Sequence, residues 1–304
     1  MHAVFALAAA VAGAPQAPYP ATAAACGVVQ VGAGPDAYVQ FTARNAQRIA
    51  SLKPGKGWCA AQPELDSIPL VYFHNHLNAP ELVRRGLNGE APRFELFYLG
   101  DVDKPRMAGF EALPGTHRWA RDYKWYRPQL FLRSPFRTTL NMDGDAVPCG
   151  ARVVEAFRFF SNSKAAVAGL WHVSSSYEGP NAGFLVFDRE KAAPLFRAWA
   201  NEMRTAILAK NNTRDLHHDQ PALAAAINKT SVPVARFSST NVCRVCRSTA
   251  TKGCASTCVS SGCWVDHRDW GTTYNEAGID GIAKVDGRTK LSKWTYGHRR
   301  KIKS

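Results

Sequence analysis

The sequence predicts an α/β fold with a mostly parallel sheet, and three observations carry that expectation. Short β-branched runs alternate with stretches of helical period. Several of the runs close on glycine, proline or acidic residues, as strands do where they hand over to helices. No internal repeat and no long apolar segment argues for another class. At 304 residues the chain can bury a large core in one or two domains.

Residues 1–25 form an Ala/Pro-rich leader. Residues 1–14 (MHAVFALAAAVAGA) have the apolar core and small-residue end of a signal peptide, but no Lys or Arg at the start; a disordered leader fits as well. Residues 27–31 (GVVQV) are a buried strand closed by the turn Gly32-Ala33-Gly34-Pro35. A helix is expected over 36–52, where Tyr38, Phe41, Ala46 and Ile49 recur at roughly helical spacing. Strands follow at 68–73 and 94–98, then a helix over 124–132 and a strand over 138–142 that ends in acidic residues. A helix over 154–160, strands over 165–173 and 183–187, a long amphipathic helix over 191–209 and a last helix over 219–227 complete the body. From residue 242 the composition turns to Cys, Gly, Ser and basic residues, so the expected division is 26–241 for the main domain and 242–304 for a Cys-rich basic region.

The net charge of +14 favours acidic partners: a nucleotide diphosphate, nucleic acid or a membrane surface. Much of the excess lies in 284–304, which reads equally as a solvated tail. No apolar run reaches the roughly 18 residues of a membrane span.

The informative segment is Asn141-Met142-Asp143-Gly144-Asp145. A strand runs into two carboxylates separated by glycine, at the strand end where open α/β sheets bind ligands. Two hard oxygen ligands suit Mg²⁺ or Mn²⁺ carrying a diphosphate. The plain alternative is a Gly-Asp turn.

The stretch from Ser134-Pro135-Phe136 through Asp143-Gly144-Asp145 resembles the metal-binding segment of nucleotide-diphospho-sugar transferases, the A-type fold glycosyltransferases with an Asp-x-Asp motif. Asn181-Ala182-Gly183, the long helix holding Phe196-Arg197-Ala198-Trp199, and His218-Asp219-Gln220-Pro221 resemble later landmarks of that family, in the same order, over roughly 27–239. The resemblance implies a Rossmann-like A-type fold with a mixed, mostly parallel sheet flanked by helices. It implies Asp143 and Asp145 as ligands of a divalent cation (Mn or Mg), and Asp219 with Gln220 acting at the transferred sugar. It also implies a basic residue near the donor, Arg127, and a nucleobase beside Val31, Gly32 and Tyr38, with Asn181 and Gly183 under the sugar pocket. Asn141 and Met142 depart from the aromatic-apolar pair that usually precedes the first Asp. Without the family, Asn181 and Gly183 form a turn, and Asp219 with Pro221 caps a helix. Asp219→Asn is expected to separate the roles of Asp219, because Asn also caps: turnover lost, stability kept.

The resemblance also implies a metal-binding histidine near the C-terminal end of the domain, for which His267 is the candidate third ligand, ahead of His298. Five cysteines, Cys243, Cys246, Cys254, Cys258 and Cys263, could hold zinc or form disulfides. The gap after Cys246 matches no common zinc spacing, which favours disulfides, and an odd count leaves one free or paired with Cys26, Cys59 or Cys149. With the sequons at Asn211 and Asn228, this points to the secretory pathway, the Golgi lumen or outside the cell. The expected function is transfer of a hexosyl or pentosyl group from a nucleotide-sugar donor to a glycan or protein acceptor, with no nucleic-acid partner. The rivals are a non-catalytic binding member of the same fold and a zinc-containing nucleic-acid binder.

Overall fold

The computed structural model describes residues 24–32, 36–74, 78–98, 127–144, 146–174, 177–208, 219–238, 242–244 and 263–267. Residues 1–23 of the leader, the sequon at 211–213, His298 and the basic tail lie outside the described residues. In chain order the elements are β1 (Cys26–Gly32), α1 (Asp36–Ala50), β2 (Leu70–His74), α2 (Ala79–Gly86), β3 (Glu95–Tyr98) and a helix α3 over 127–132. Then come β4 (Thr138–Met142), β5 (Ala146–Pro148), a 3-10 turn at Gly150–Val154, α4 (Glu155–Asn162), β6 (Val167–Ser174) and β7 (Tyr177–Asp188). The last are α5 (Ala193–Leu208), α6 (Asp219–Lys229), β8 (Val234–Phe237), β9 (Val242–Arg244) and β10 (Val265–His267).

Seven strands form one sheet in the order β3-β2-β1-β4-β7-β6-β8. Pairing is parallel throughout except where β7 runs antiparallel between β4 and β6. The sheet is therefore mixed and mostly parallel, flanked by helices, as expected. All seven residues of β1 are buried, which is why its sequence is apolar apart from Gln30 and does not alternate.

Side chains alternate across each strand and so divide between two cores. Val28, Tyr72, Leu140 and Phe184 pack under α1, α2 and α4, with Val39, Leu82 and Phe157 from those helices. Val29, Phe73, Leu185 and Phe187 pack on the other face with Phe131 of α3, Phe196 and Trp199 of α5 and Leu223 of α6. Phe131, Phe187 and Phe196 form a triangle with ring centroids 4.8–5.2 Å apart. Tyr72 ties α1 to β2: its hydroxyl lies 2.6 Å from Thr42 Oγ1 and donates to the Val39 carbonyl at 3.0 Å. Burial pushes that phenol well above its usual value, against the opposing pull of the Thr42 bond.

Three differences from the expected elements share a cause. β7 begins at Tyr177 and not at 183, because its first half (YEGPNA) is turn-like in composition but pairs with the far end of β6. α2 and β8 were not expected. α2 has only eight residues and β8 only four, too few for a local period to register, and both are placed by packing on longer neighbours.

Cys26 and Cys59 form a disulfide that ties the start of β1 to the loop before β2. Cys149 and Cys263 are also disulfide-bonded, and among the described residues no cysteine is free. For these positions the oxidised reading holds. No helix among the described residues is long and apolar enough to cross a membrane. The segments beginning at Val242 and Val265 join the body: β9 and β10 form a three-stranded sheet with β5.

Candidate active site

The site begins where β4 ends. Asp143 follows Met142, the last residue of the strand, and its main-chain N–H donates to the Gly183 carbonyl of β7 at 2.7 Å. Glycine at 183 leaves room for the carboxylate: a Cβ there would lie 2.2 Å from Asp143 Oδ2 and 3.0 Å from Asn181 Oδ1 and would push the Asp143 side chain aside. The Gly183 N–H donates to Asn181 Oδ1 at 2.7 Å, so Asn181 fixes the strand edge on which the carboxylate rests. Asn141, the departure from the family pattern, is buried and donates from Nδ2 to the Ala182 carbonyl at 2.9 Å. Its polarity thus serves the β4–β7 junction beside the carboxylate.

Arg127, the first described residue of α3, is buried and bridges two carboxylates. Its Nη2 donates to Asp143 Oδ1 at 2.5 Å and its Nη1 to Asp219 Oδ2 at 2.6 Å. The two acceptors differ in solvent access: the Asp219 side chain is 2% exposed and that of Asp143 is 21% exposed. Asp219 opens α6, and the Trp199 indole N–H donates to its carbonyl at 2.9 Å, so α5 and α6 are locked together behind the ion pair. A carboxyl as buried as that of Asp219 calls for a partner, and Arg127 supplies it while also bonding the more exposed Asp143. This changes the expectation for Asp219→Asn: removing a member of a buried ion pair costs stability as well as any role in turnover, so the variant does not isolate the helix cap.

The turn after Asp143 lies in a cradle made by one face of α1. Tyr38, Thr42 and Asn45 stand at i, i+4 and i+7 and all point at it. Asn45 Nδ2 donates to the carbonyls of Gly144 and Ala146 at 3.2 and 2.7 Å. A Cβ on Gly144 would lie 2.1 Å from Thr42 Cγ2 and 3.0 Å from the Tyr38 hydroxyl, so only glycine allows this approach. Gln30, buried in β1, donates to the Asp143 carbonyl at 3.3 Å.

Of the residues singled out in the sequence, Arg127, Asp143, Asn181, Gly183 and Asp219 converge, and Tyr38 reaches the neighbouring turn. Val31 is buried in the core on the α5 and α6 face, and Gly32 closes β1. Gln220 follows Asp219 as the second residue of α6 and is half-buried. Asp145 lies outside the described residues. His267 ends β10, and its backbone stands opposite Ala146, the residue after Asp145; its side chain is not among those described. Among the described residues no three His, Cys, Asp or Glu side chains form a metal-ligand group.

Gln30, Asn45 and Asn141 were not anticipated as site-supporting residues. A signal existed: Gln30 and Asn141 are polar residues inside apolar strands, and Asn45 shares a helical face with Tyr38. A polar side chain at a core position needs an internal partner, and here the partners are the main chain around Asp143.

No family model matches the chain, and no curated protein matches it. Among solved structures, it is similar to mouse xyloside xylosyltransferase 1 in its apo form, with a TM-score of 0.49 and 10% identity over 81% of this chain and 98% of that one. It is similar to an active-site mutant of LgtC, with a TM-score of 0.49 and 12% identity over 84% of this chain and 95% of that one. A third is core-mannan synthase A of Aspergillus fumigatus in its Mn/GDP form, with a TM-score of 0.46 and 8% identity over 70% of this chain and 72% of that one.

Proposed function

We propose that the chain is a metal-dependent glycosyltransferase, moving a hexosyl or pentosyl group from a nucleotide-sugar donor to a hydroxyl of a glycan or protein acceptor, in the secretory pathway. The observation that carries this reading is the bridge from Arg127 to Asp143 and Asp219 at the carboxyl ends of the parallel strands, beside Gly183.

The residues present fit a hard divalent cation. Asp143 offers a partly exposed carboxylate that already accepts a positive group, the Arg127 guanidinium, on one oxygen. Asp145 comes two residues later, and β10 brings the backbone of His267 opposite Ala146. Carboxylate ligands suit Mn²⁺ or Mg²⁺ with a diphosphate, and an imidazole beside them would be taken more readily by Mn²⁺ than by Mg²⁺. A cation held by Asp143, Asp145 and His267 would supply positive charge against the charge that builds on the leaving diphosphate.

The rest of the chemistry belongs to side chains. Arg127 bridges both carboxylates, and can turn a guanidinium N–H toward phosphate when a second positive group takes its place on Asp143. Asp219, with Gln220 beside it, faces the sugar over Asn181 and Gly183 and accepts hydrogen bonds from its hydroxyls; such bonds strengthen as positive charge develops on the ring. Tyr38 and the end of β1 border the nucleobase. As the acceptor oxygen bonds to the anomeric carbon, the bond from that carbon to the diphosphate oxygen breaks, and the hydroxyl proton passes to the departing diphosphate or to solvent water.

The test is a panel of nucleotide sugars incubated with the full chain and Mn²⁺, with release of the nucleoside diphosphate as readout. Release that requires the metal and falls at least about a hundredfold in Asp143→Asn is the expected outcome; such a loss corresponds to about 2.7 kcal/mol of transition-state stabilisation. Nucleotide-sugar binding without release from any donor would overturn the enzymatic reading in favour of a binding protein of the same fold.

A further inference from the structure

The last turn of α6 carries a signal that the candidate active site does not use. Asn228-Lys229-Thr230 is an acceptor sequence for an N-linked glycan, with no proline at its centre. Asn228 and Lys229 are exposed, and Lys229 Nζ pairs with Glu202 of α5 at 2.7 Å. Asn228 serves another surface. It shares one face of α6 with Ala224 and Ile227, at helical spacing. These three line a cleft of about 220 Å³ whose other walls are Trp171 of β6, Gly179 of β7 and Arg236 of β8. β8 is an edge strand of the seven-stranded sheet, and Arg236 is exposed on it. Its guanidinium carbon lies 4.2 Å from the centroid of the half-buried Trp171 ring, a cation–π contact.

The walls have the chemistry of a sugar seat. A sugar ring presents faces of C–H groups rimmed by hydroxyls. Trp171, Ala224 and Ile227 offer apolar surface to the first, and Arg236 offers N–H donors to the second. The volume is below the roughly 300–1,000 Å³ of pockets for drug-sized ligands, and a single sugar ring is a smaller ligand than those. The first ring of an N-linked glycan is bonded to the asparagine itself, so a ring on Asn228 needs no linker to reach the cleft.

Resting on the secretory-pathway reading, we propose that Asn228 is glycosylated and that the first sugar of its glycan sits in the Trp171–Arg236 cleft. A diphosphate-activated oligosaccharide of that compartment supplies the sugar. Its anomeric carbon bonds to Asn228 Nδ2, the bond from that carbon to the phosphate oxygen breaks, and one amide proton passes to a base of the host enzyme. The fold sets the time of this event. The Thr230 N–H donates to the Ile227 carbonyl at 3.3 Å, and the Thr230 hydroxyl oxygen is buried with no hydrogen-bond partner among the described residues. An enzyme that reads that hydroxyl must act before α6 has docked. Once seated, the glycan shields the outer side of β8, where an edge strand would otherwise offer main-chain groups to another chain.

The experiment expresses the full chain, with its own leader, in animal cells that make high-mannose glycans. Asn211→Gln is carried throughout so that Asn228 alone reports. Mass spectrometry is expected to find a glycan on the Asn228 peptide, absent in Asn228→Gln and in Thr230→Ala. Those two glycan-free variants should melt about 2–4 °C lower than the glycosylated chain, the shift a contact of the aromatic-pair class gives in a protein of this size. Trimming the glycan to its first ring with endoglycosidase H should leave the melting temperature unchanged. In a Trp171→Ala background, glycosylated and glycan-free chains should melt together; if that variant does not fold, Trp171→Leu keeps the apolar bulk without the flat ring. An unmodified Asn228 in chain that is protease-protected inside microsomes would overturn the proposal and leave the secretory reading intact. So would a glycan whose loss leaves the melting temperature unchanged, or lowers it equally without the Trp171 ring. A chain found only in the cytosol would overturn both.

Discussion

The two edges of the seven-stranded sheet are built from opposite materials. At the amino edge Cys26 is bonded to Cys59, Trp58 packs edge-on against Phe157 at 4.9 Å, and the buried Phe136 ring lies over Gly27. Of the polar groups there, Ser134 and Thr139 satisfy each other at 2.6 Å, and the carboxylate of Asp188 takes the main-chain N–H groups of Glu190 and Lys191. At the carboxyl edge β4 runs out at Asp143 beside Asn181 and Gly183 of β7, with Arg127 and Asp219 brought in from helices. One edge is closed by apolar contact and a covalent bond. The other concentrates charge where strand ends and helix starts leave main-chain groups available. Covalent and apolar closure and the candidate site are thus placed at opposite ends of one sheet, with one exception: the Arg127–Asp219 pair is charged but buried like a core contact.

Asp219→Asn probes that exception and should have the largest effect. Leaving Arg127 with one carboxylate fewer in a buried setting is expected to cost about 3–5 kcal/mol, read by urea unfolding, together with loss of turnover. Unchanged stability would remove the exception and make the carboxyl edge purely functional.

Opening the amino edge comes next. Replacing Cys26 and Cys59 with alanine frees a loop of 33-residue separation, for which chain entropy predicts a loss of about 3–4 kcal/mol. Turnover per folded molecule should not change. A fall in turnover at full occupancy of the folded state would mean that the two edges are coupled through β1.

The smallest effect belongs to an exposed pair on neither edge. Glu81 on α2 accepts hydrogen bonds from Arg84 and Arg85, and these bonds hold its carboxyl down at about 2, against an ordinary 4.5. Because the folded value is depressed, the contribution is complete above pH 4.5 and is lost as pH falls toward 2. A carboxyl titration followed by NMR should place the midpoint near 2, with little change in overall stability, since solvent screens such pairs. A midpoint near 4.5 would show that the pairing is not kept in solution.

How far the sequence reaches differs between the same two edges. Largely apolar runs such as 27–31 and 68–73 announced β1 and β2, and an apolar strand running into Asp143 pointed to the candidate site. The ordered landmarks around Ser134, Asn181 and Asp219 supplied most of the residues that converge. The amino edge was not legible as a unit: nothing local pairs Cys26 with Cys59 rather than with the later cluster, and nothing in the Ser-Pro-Phe stretch says that Phe136 covers Gly27.

Neighbours along the chain were enough to set the alternating order of strands and helices, the strand end that carries Asp143, and the helical face shared by Tyr38, Thr42 and Asn45. Such patterns are periodic, and period is a local property. It took long-range packing to make Arg127 neutralise two carboxylates 16 and 92 positions away. Packing also assigned Asn141 to β7 and returned the cysteine-rich segment so that the backbone of His267 stands opposite Ala146. Those placements depend on which buried charges and polar groups find partners once the sheet has closed, and segments distant in sequence meet only then.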